Sequence, residues 1–430
     1  MKTFFNHNLK WSCALTLAAL LSPGAAFATN GMFLIGSGSR SVAMGGAAIA
    51  NPQDSFTGAV NPAAIVEVGT RADLEAMVFI PKAAARLGNV HVESSSDLFL
   101  MPAMGMVLPL DNETVMGFSF VPVGGGGSNY RTNFYNTTDG NVGVNLMVAQ
   151  MNPTLAQRLN DTHTVGGNLI IGVQRFKAWG FDQFNTFTVS GAAKDMHSRG
   201  SEFSYGLGLR LGWLATYKDL GLNLGAAYTT PTYMKRFEKY KELFAEHGDI
   251  NTPGNLGVGA SLKITPKINV ALDIVRIYYE GTASIANTGP NLPGGSVGPF
   301  PVSKEVNGLG EDEGLGFGWR DQTVYKLGFE YKYAKDLTLR AGWNYGKSPI
   351  PEEREILFNL VAPATTQWHM TLGGTYKISR EMELNFAYMH AFTTMQQGPT
   401  YITTKDVPGP NTGSIEMYQN AFSVGIGFTL

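Results

Sequence analysis

The chain has 430 residues, a formal net charge of −2, 44% hydrophobic residues, 52 glycines and one cysteine. A charge this close to balance, with no basic run, excludes a nucleic-acid binder, and a lone cysteine excludes a disulfide framework or a Cys-ligated metal. No run of 18 or more apolar residues occurs, which excludes helical membrane spans.

Lys2 and Lys10 begin the chain, the short apolar run Ala14–Leu21 follows, and Ala26-Phe27-Ala28 has the A-x-A form of a cleavage site. Residues 1–28 therefore read as a cleaved signal peptide, with the mature chain beginning at Thr29. The apolar run is too short for a membrane anchor. Cys13 lies before the cleavage point, where no lipoprotein cysteine would sit, so the mature chain is expected to lack a thiol. Removing two lysines and no acid moves the charge from −2 to −4.

The next stretch, 29–68, is rich in Gly, Ala and Ser and keeps neither helical nor strand periodicity. Turn punctuation falls at Asn51-Pro52 and Asn61-Pro62. Small residues suit a confined space, and Gly36, Gly38, Gly45 and Gly46 permit sharp changes of direction. Composition alone fits a flexible tail equally well.

Residues 69–430 show no linker and no shift in composition. Period-two alternation recurs instead. Tyr205, Leu207, Leu209, Leu211 and Trp213 share one face of Ser204–Leu214. Leu256, Val258, Ala260, Leu262 and Ile264 do so in Asn255–Ile264, as do Tyr325, Leu327, Phe329, Tyr331 and Tyr333, and finally Phe422, Val424, Ile426, Phe428 and Leu430. About ten alternating residues is the length with which a tilted strand crosses a membrane. Tight turns are expected at Asp111-Asn112, Asn160-Asp161, Lys218-Asp219, Pro266-Lys267, Lys335-Asp336 and Ser379-Arg380. Long loops are expected over 88–97, 135–142, 178–201, 237–253, 283–320, 350–364 and 397–416. Six turns and seven loops give an all-β, 14-stranded antiparallel transmembrane β-barrel over 69–430, with short turns in the periplasm and long loops outside. A soluble barrel would turn its apolar face inward. It would not need Tyr278, Tyr279, Trp343, Tyr345 and Phe392 at strand ends, which read as interface girdles.

Two loops carry aromatic clusters: Trp179, Phe181, Phe184 and Phe187 in one, Phe237, Tyr240, Leu243 and Phe244 in the other. An exposed apolar patch there would capture ligand; packed on itself, it would cap the barrel. Helical spacing over Phe237–His247 predicts a short amphipathic helix. The first strands are apolar on both faces, so Met77, Phe79 and Met101 are candidates to line an apolar site. Arg210, Lys326 and Arg340 are the inward basic candidates for a carboxylate, against an internal ion-pair network with Glu330, Asp273 or Glu383. The six histidines left after processing are scattered, and no G-x-S-x-G stretch backs any of them, so no enzyme is expected. Glu311, Asp312 and Glu313 read as a solvated face, although outer loops can bind Ca²⁺. No metal and no cofactor are expected.

Gly45-Gly46-Ala47 followed by Asn61-Pro62-Ala63 resembles the N-terminal hatch of the FadL-type outer-membrane transporters, a family with long-chain fatty acid and aromatic hydrocarbon (TodX-like) members. Trp319-Arg320-Asp321, Leu339-Arg340-Ala341-Gly342, Ser348-Pro349-Ile350-Pro351, His369 to Gly373 and Ala387-Tyr388-Met389-His390 match the family's second half in order. The resemblance covers essentially the whole mature chain. It implies a bacterial outer-membrane protein, monomeric, among membrane lipid and lipopolysaccharide, with residues 29–68 as a hatch (plug) inside the barrel. It implies passive uptake of a hydrophobic small molecule: capture on outer loops, transfer to an internal site, hatch movement, and lateral exit through a gap in the third strand. Met32 and Phe33 occupy the positions at which the family's hatch touches ligand. The third-strand kink maps onto Gly124, Gly125, Gly126 and Gly127, with Asn61, Pro62 and Ala63 beside it; an outer loop that begins early is the alternative. Long-chain fatty acid is the first expectation for the cargo and aromatic hydrocarbon the second. A hydrophilic porin and an outer-membrane phospholipase complete the alternatives.

Overall fold

The computed structural model describes residues 30–135, 140–188, 194–290, 308–351, 355–401 and 411–430. The leader expected over 1–28 lies outside them, as do parts of five of the loops.

Fourteen barrel strands are found among the described residues. In chain order they are β1 (Arg71–Leu87), β2 (Phe99–Pro109), β3 (Thr114–Tyr130), β4 (Val142–Arg158), β5 (His163–Trp179), β6 (Glu202–Tyr217) and β7 (Leu222–Thr229), then β8 (Asn255–Thr265), β9 (Ile268–Ile277), β10 (Gln322–Lys332), β11 (Leu337–Gly346), β12 (Trp368–Lys377), β13 (Met382–Thr400) and β14 (Asn411–Thr429). Each is antiparallel to the next. β14 closes on β1 from Arg71↔Thr429 to Leu87↔Gly413, so the first and last strands leave no free edge at the seam. Two short strands extend the wall: Val90–Glu93 folds back on β1, and Tyr233–Met234 pairs with the far end of β6.

The alternation decides which way each strand faces. Leu207, Leu209 and Leu211 on β6, and Phe422, Val424 and Ile426 on β14, stand exposed on the outer surface. Polar and small neighbours such as Ser204, Arg210, Ser423 and Gln419 are buried inside. All six tight turns fall where expected. Side chains close four of them locally: Asp111, Asn160, Thr265 and Ser379 each accept two backbone N–H groups two and three residues on. Trp343, Tyr345 and Trp368 cluster in an outer girdle, Trp343 stacked on Tyr345 and Trp368 tilted against Tyr345 at 4.3 Å.

Three expectations are corrected. β13 runs to Thr400 and β14 starts at Asn411, so the last long loop is shorter than 397–416. Phe237–His247 is not a helix. Only one turn, Ala245–Gly248, is closed by helix-like bonds, and Glu246 and His247 inside it have positive, non-helical φ, because their N–H groups turn to the carbonyls of Glu311 and Gly310. Tyr279 is not a girdle residue; it is fully buried inside the barrel.

Residues 30–67 lie within the barrel as short pieces: a helix at Ser39–Ala43 and 3-10 turns at Ser55–Ala59 and Pro62–Glu67. Small residues make this possible. Gly46 has φ +85°, and a Cβ there would lie 1.8 Å from the Ile35 carbonyl oxygen. Gly342 on β11 lets the wall approach: its Cβ would stand 2.0 Å from the Gly45 nitrogen.

Candidate functional site

Among the described residues the wall is broken between β2 and β3, and the sequence sets the break there. β2 and β3 pair only from Met104↔Phe120 to Pro109↔Val115. Beyond that point β2 stays paired with β1, while β3 departs from it. Gly124 and Gly125 take φ of 150° and 151°, which L side chains rarely adopt, and the register against β4 slips between Pro122 and Gly124. On its β4 side β3 continues to Tyr130, so the glycines kink the strand without ending it. The two sides meet again where Ser95 N donates to Asn129 O.

The free edge of β3 is taken by the start of the internal segment. Leu34 N donates to Val123 O at 2.9 Å, and Gly125 N donates to Met32 O at 3.0 Å. Residues 32–34 thus stand as a three-residue strand beside the kink, with a cavity on each side. The larger cavity, about 130 Å³, is bounded by Phe33, Leu34, Pro122, Gln150, Arg210 and Lys326 among others. The smaller, about 50 Å³, is wholly apolar, with Met32, Leu146, Phe176, Phe244, Ile285 and Trp319 around it.

Three basic candidates separate here. Arg210 is buried on the larger cavity; its Nε donates to Thr229 Oγ1 at 2.9 Å and its Nη1 to Asn152 Oδ1 at 3.4 Å. No carboxylate pairs with it among the described residues. Lys326, on the same cavity, is held by the Ile35 carbonyl at 2.9 Å. Arg340 lies away from both cavities: Glu330 and Thr375 take its guanidinium at 2.8 and 2.7 Å, so its expected part in binding gives way to wall structure.

Four further expectations are revised by position. Met77 and Phe79 pack with Ile35, Val42 and Phe99, with Met101 against them, so these side chains seat the internal segment and line neither cavity. Phe181, Phe184, Phe187, Phe237, Tyr240 and Phe244 are not an exposed patch. All are buried together above the barrel, Phe176 meeting Phe244 at 4.7 Å and Tyr240 at 4.8 Å. Of these, Phe244 borders the small cavity. Trp179 stays half-buried under Lys177. Asn61, Pro62 and Ala63 do not sit beside the glycine kink. Asn61 Nδ2 donates to Trp213 O on β6 at 3.0 Å and to Ile49 O at 2.8 Å, and Pro62 and Ala63 lie against Gly166 and Gly212.

At the short-turn end a buried ionic cluster binds the segment; the sequence points to Glu383, Glu330 and Asp273 as ion-pair partners but not to Arg40, Arg71, Asp73 or Glu75. Glu383 pairs with Arg40 of the segment and with Arg71, which also pairs with Asp73. Ser39 gives its N–H and hydroxyl to Glu75 at 2.5 and 2.8 Å. Asp273 accepts from Ala48 N and Ile49 N at 2.7 and 3.0 Å. One signal was legible: Arg71, Asp73 and Glu75 alternate on a single strand face, where a lumen-facing row of charge needs a partner.

An outward apolar belt, a segment packed in the lumen, and cavities beside a break in the wall define a transport protein of the bacterial outer membrane. The chain belongs to the family described as outer membrane protein transport protein (OMPP1/FadL/TodX), whose model matches residues 15–429. Solved structures share the fold. The P. putida toluene transporter TodX has a TM-score of 0.65 at 18% identity, covering 92% of this chain and 99% of that one. A Pseudomonas aeruginosa FadL homologue has 0.66 at 13%, covering 93% and 99%. The Ralstonia pickettii toluene transporter TbuX has 0.61 at 17%, covering 92% and 98%. No curated protein matches the sequence. The family carries hydrophobic compounds across the outer membrane.

Proposed function

We propose that this protein passes long-chain fatty acids inward by diffusion, without catalysis or cofactor, as a monomer among outer-membrane lipid and lipopolysaccharide. The observation that carries the cargo is Arg210, a buried guanidinium on the cavity wall with hydroxyl and amide partners but no carboxylate among the described residues. A fatty acid head group supplies that charge, and hydrogen bonds between charged partners are about twice as strong as neutral ones. Residues 29–68 act as the hatch. Ligand enters through the apolar cavity under the loop aromatics, the hatch shifts, and the ligand leaves sideways between β2 and β3 at Gly124–Gly127. Lateral exit keeps an apolar chain out of water.

A second reading has its own support. The smaller cavity is wholly apolar, as an uncharged aromatic requires, and two solved relatives are toluene transporters by their descriptions. Tryptophan quenching of the detergent-exchanged protein separates the two. Saturable oleate binding that weakens at least tenfold in Arg210→Ala, with Arg340→Ala binding as before, supports the fatty acid reading. Saturable toluene binding with indifference to oleate replaces it with the hydrocarbon reading.

A further inference from the structure

The start of the internal segment is a tight turn. Asn30 N donates to Phe33 O at 2.9 Å, and Phe33 N donates to Asn30 O at 3.1 Å. Gly31, with φ +63°, and Met32 form its corner. Tyr279, two residues past the end of β9, closes on this turn from across the lumen. Its Oη accepts from Met32 N at 3.1 Å and donates to Asn30 O at 2.6 Å. The ring is fixed as firmly as the hydroxyl: Trp319 meets it edge-on at 5.2 Å, and Phe33 lies at 6.2 Å. The fit leaves no slack, for a Cβ on Gly31 would lie 2.2 Å from the phenol oxygen. Burial pushes the phenol well above its ordinary pKa, so its proton stays available for the Asn30 carbonyl.

What this turn holds in place is the strand at residues 32–34. Met32 faces the small apolar cavity, and Phe33 and Leu34 face the larger one. The pairing of residues 32–34 with Val123–Gly125 is therefore the partition between the two. Its own backbone bonds to β3 are few, because Gly124 and Gly125 offer an irregular edge.

We propose that Tyr279 is a positioning residue for transport: its phenol latches the Asn30–Phe33 turn, and through it keeps the 32–34 strand on the free edge of β3 as a wall between the two cavities. The inference rests on the transport reading above for its purpose but not for its test. With the latch closed, Met32 and Phe33 separate an outer compartment from an inner one. With it released, the turn swings free, both cavities join, and the same motion uncovers the β3 edge at the break in the wall. Tyr279 touches cargo in neither state and works through residues 30–34.

The mature chain is expected to lack cysteine, so a single introduced thiol reports cleanly. Met32→Cys and, separately, Ala43→Cys are placed in otherwise native barrels in lipid vesicles and labelled with a charged, water-soluble thiol reagent. Tyr279→Phe keeps the ring and removes both hydrogen bonds. We expect it to speed labelling at 32 at least tenfold and to leave labelling at 43 unchanged. An unchanged rate at 32 overturns the latch, as does equal acceleration at both sites, which would mean that the whole segment had loosened. Gly31→Ala, which pushes the phenol away from the turn, gives the same decision if Tyr279→Phe does not assemble. Uptake of oleate and of toluene is measured in the same vesicles. Faster labelling at 32 with no uptake of either in any variant supports the latch and overturns the transport reading.

Discussion

The two ends of the internal segment are held by different physics. From Ser39 to Ala63 it is tied to the wall by charge, by backbone N–H groups and by a side-chain amide spread around the barrel: Arg40 to Glu383, Ser39 to Glu75, Ala48 and Ile49 to Asp273, Asn61 Nδ2 to Trp213 O. From Asn30 to Leu34 it is held by one phenol and a few bonds to a kinked strand. Freeing the first region means separating buried charges, and that costs several kcal/mol for each ion left unpaired. Freeing the second gives up a few neutral hydrogen bonds of about 0.5–1.5 kcal/mol each. The difference teaches which end of the segment is easier to release: its tip, while its body is held fast.

The strongest way to break this contrast is Glu383→Ala, which leaves Arg40 without its carboxylate partner and takes one from Arg71. It should destabilise the vesicle-embedded barrel by about 3–5 kcal/mol, read as a lower urea midpoint; an unchanged midpoint would remove the fixed body from the picture. Gly46→Ala tests the same region through the backbone. An Ala at φ +85°, 1.8 Å from a carbonyl oxygen, should cost about 1–3 kcal/mol in the same measurement. Hydrogen exchange compares the two ends directly. The amides of Leu34 and Gly125 should exchange at least a hundredfold faster than those of Ala48 and Ser55, because local opening is easier where fewer partners hold. Trp368→Ala is the outside control. It removes a girdle ring packed against Tyr345 and should cost only about 0.5–1.5 kcal/mol of ring-pair energy, without altering exchange at either end of the segment.

The barrel was legible in the sequence because its signals are local. Asp111, Asn160, Thr265 and Ser379 close their turns with their own side chains, and Leu207, Leu209 and Leu211 face outward by period alone. The glycine run at Gly124–Gly127 was legible as a kink for the same reason. The site was legible only in part. Arg210 and Arg340 are equal as inward arginines on paper; what separates them is that Glu330 sits beside Arg340 and no acid beside Arg210. Phe181, Phe184 and Phe237 have the same hydrophobicity exposed or buried, so the pattern could not tell a capture surface from a cap. Spacing over Phe237–His247 suggested a helix, yet tertiary contacts to Glu311 and Gly310 claimed the N–H groups it needed. Tyr279 reads as a girdle aromatic from its place at a strand end, and its true partners Met32 and Asn30 lie 247 and 249 residues away, beyond any local pattern.

The seam where the barrel closes has a consequence for how the molecule is put together. Its two strands are the first and the last, and Leu430 N finishes against Thr70 O, at the point where the inner segment becomes the wall. Glu383, which grips Arg40, stands on β13, the strand next to that seam. The last strands to be made thus complete both the wall and the grip on what lies within. The seam that shuts the wall is therefore also the seam that secures the segment within it, so a break there would loosen both at once.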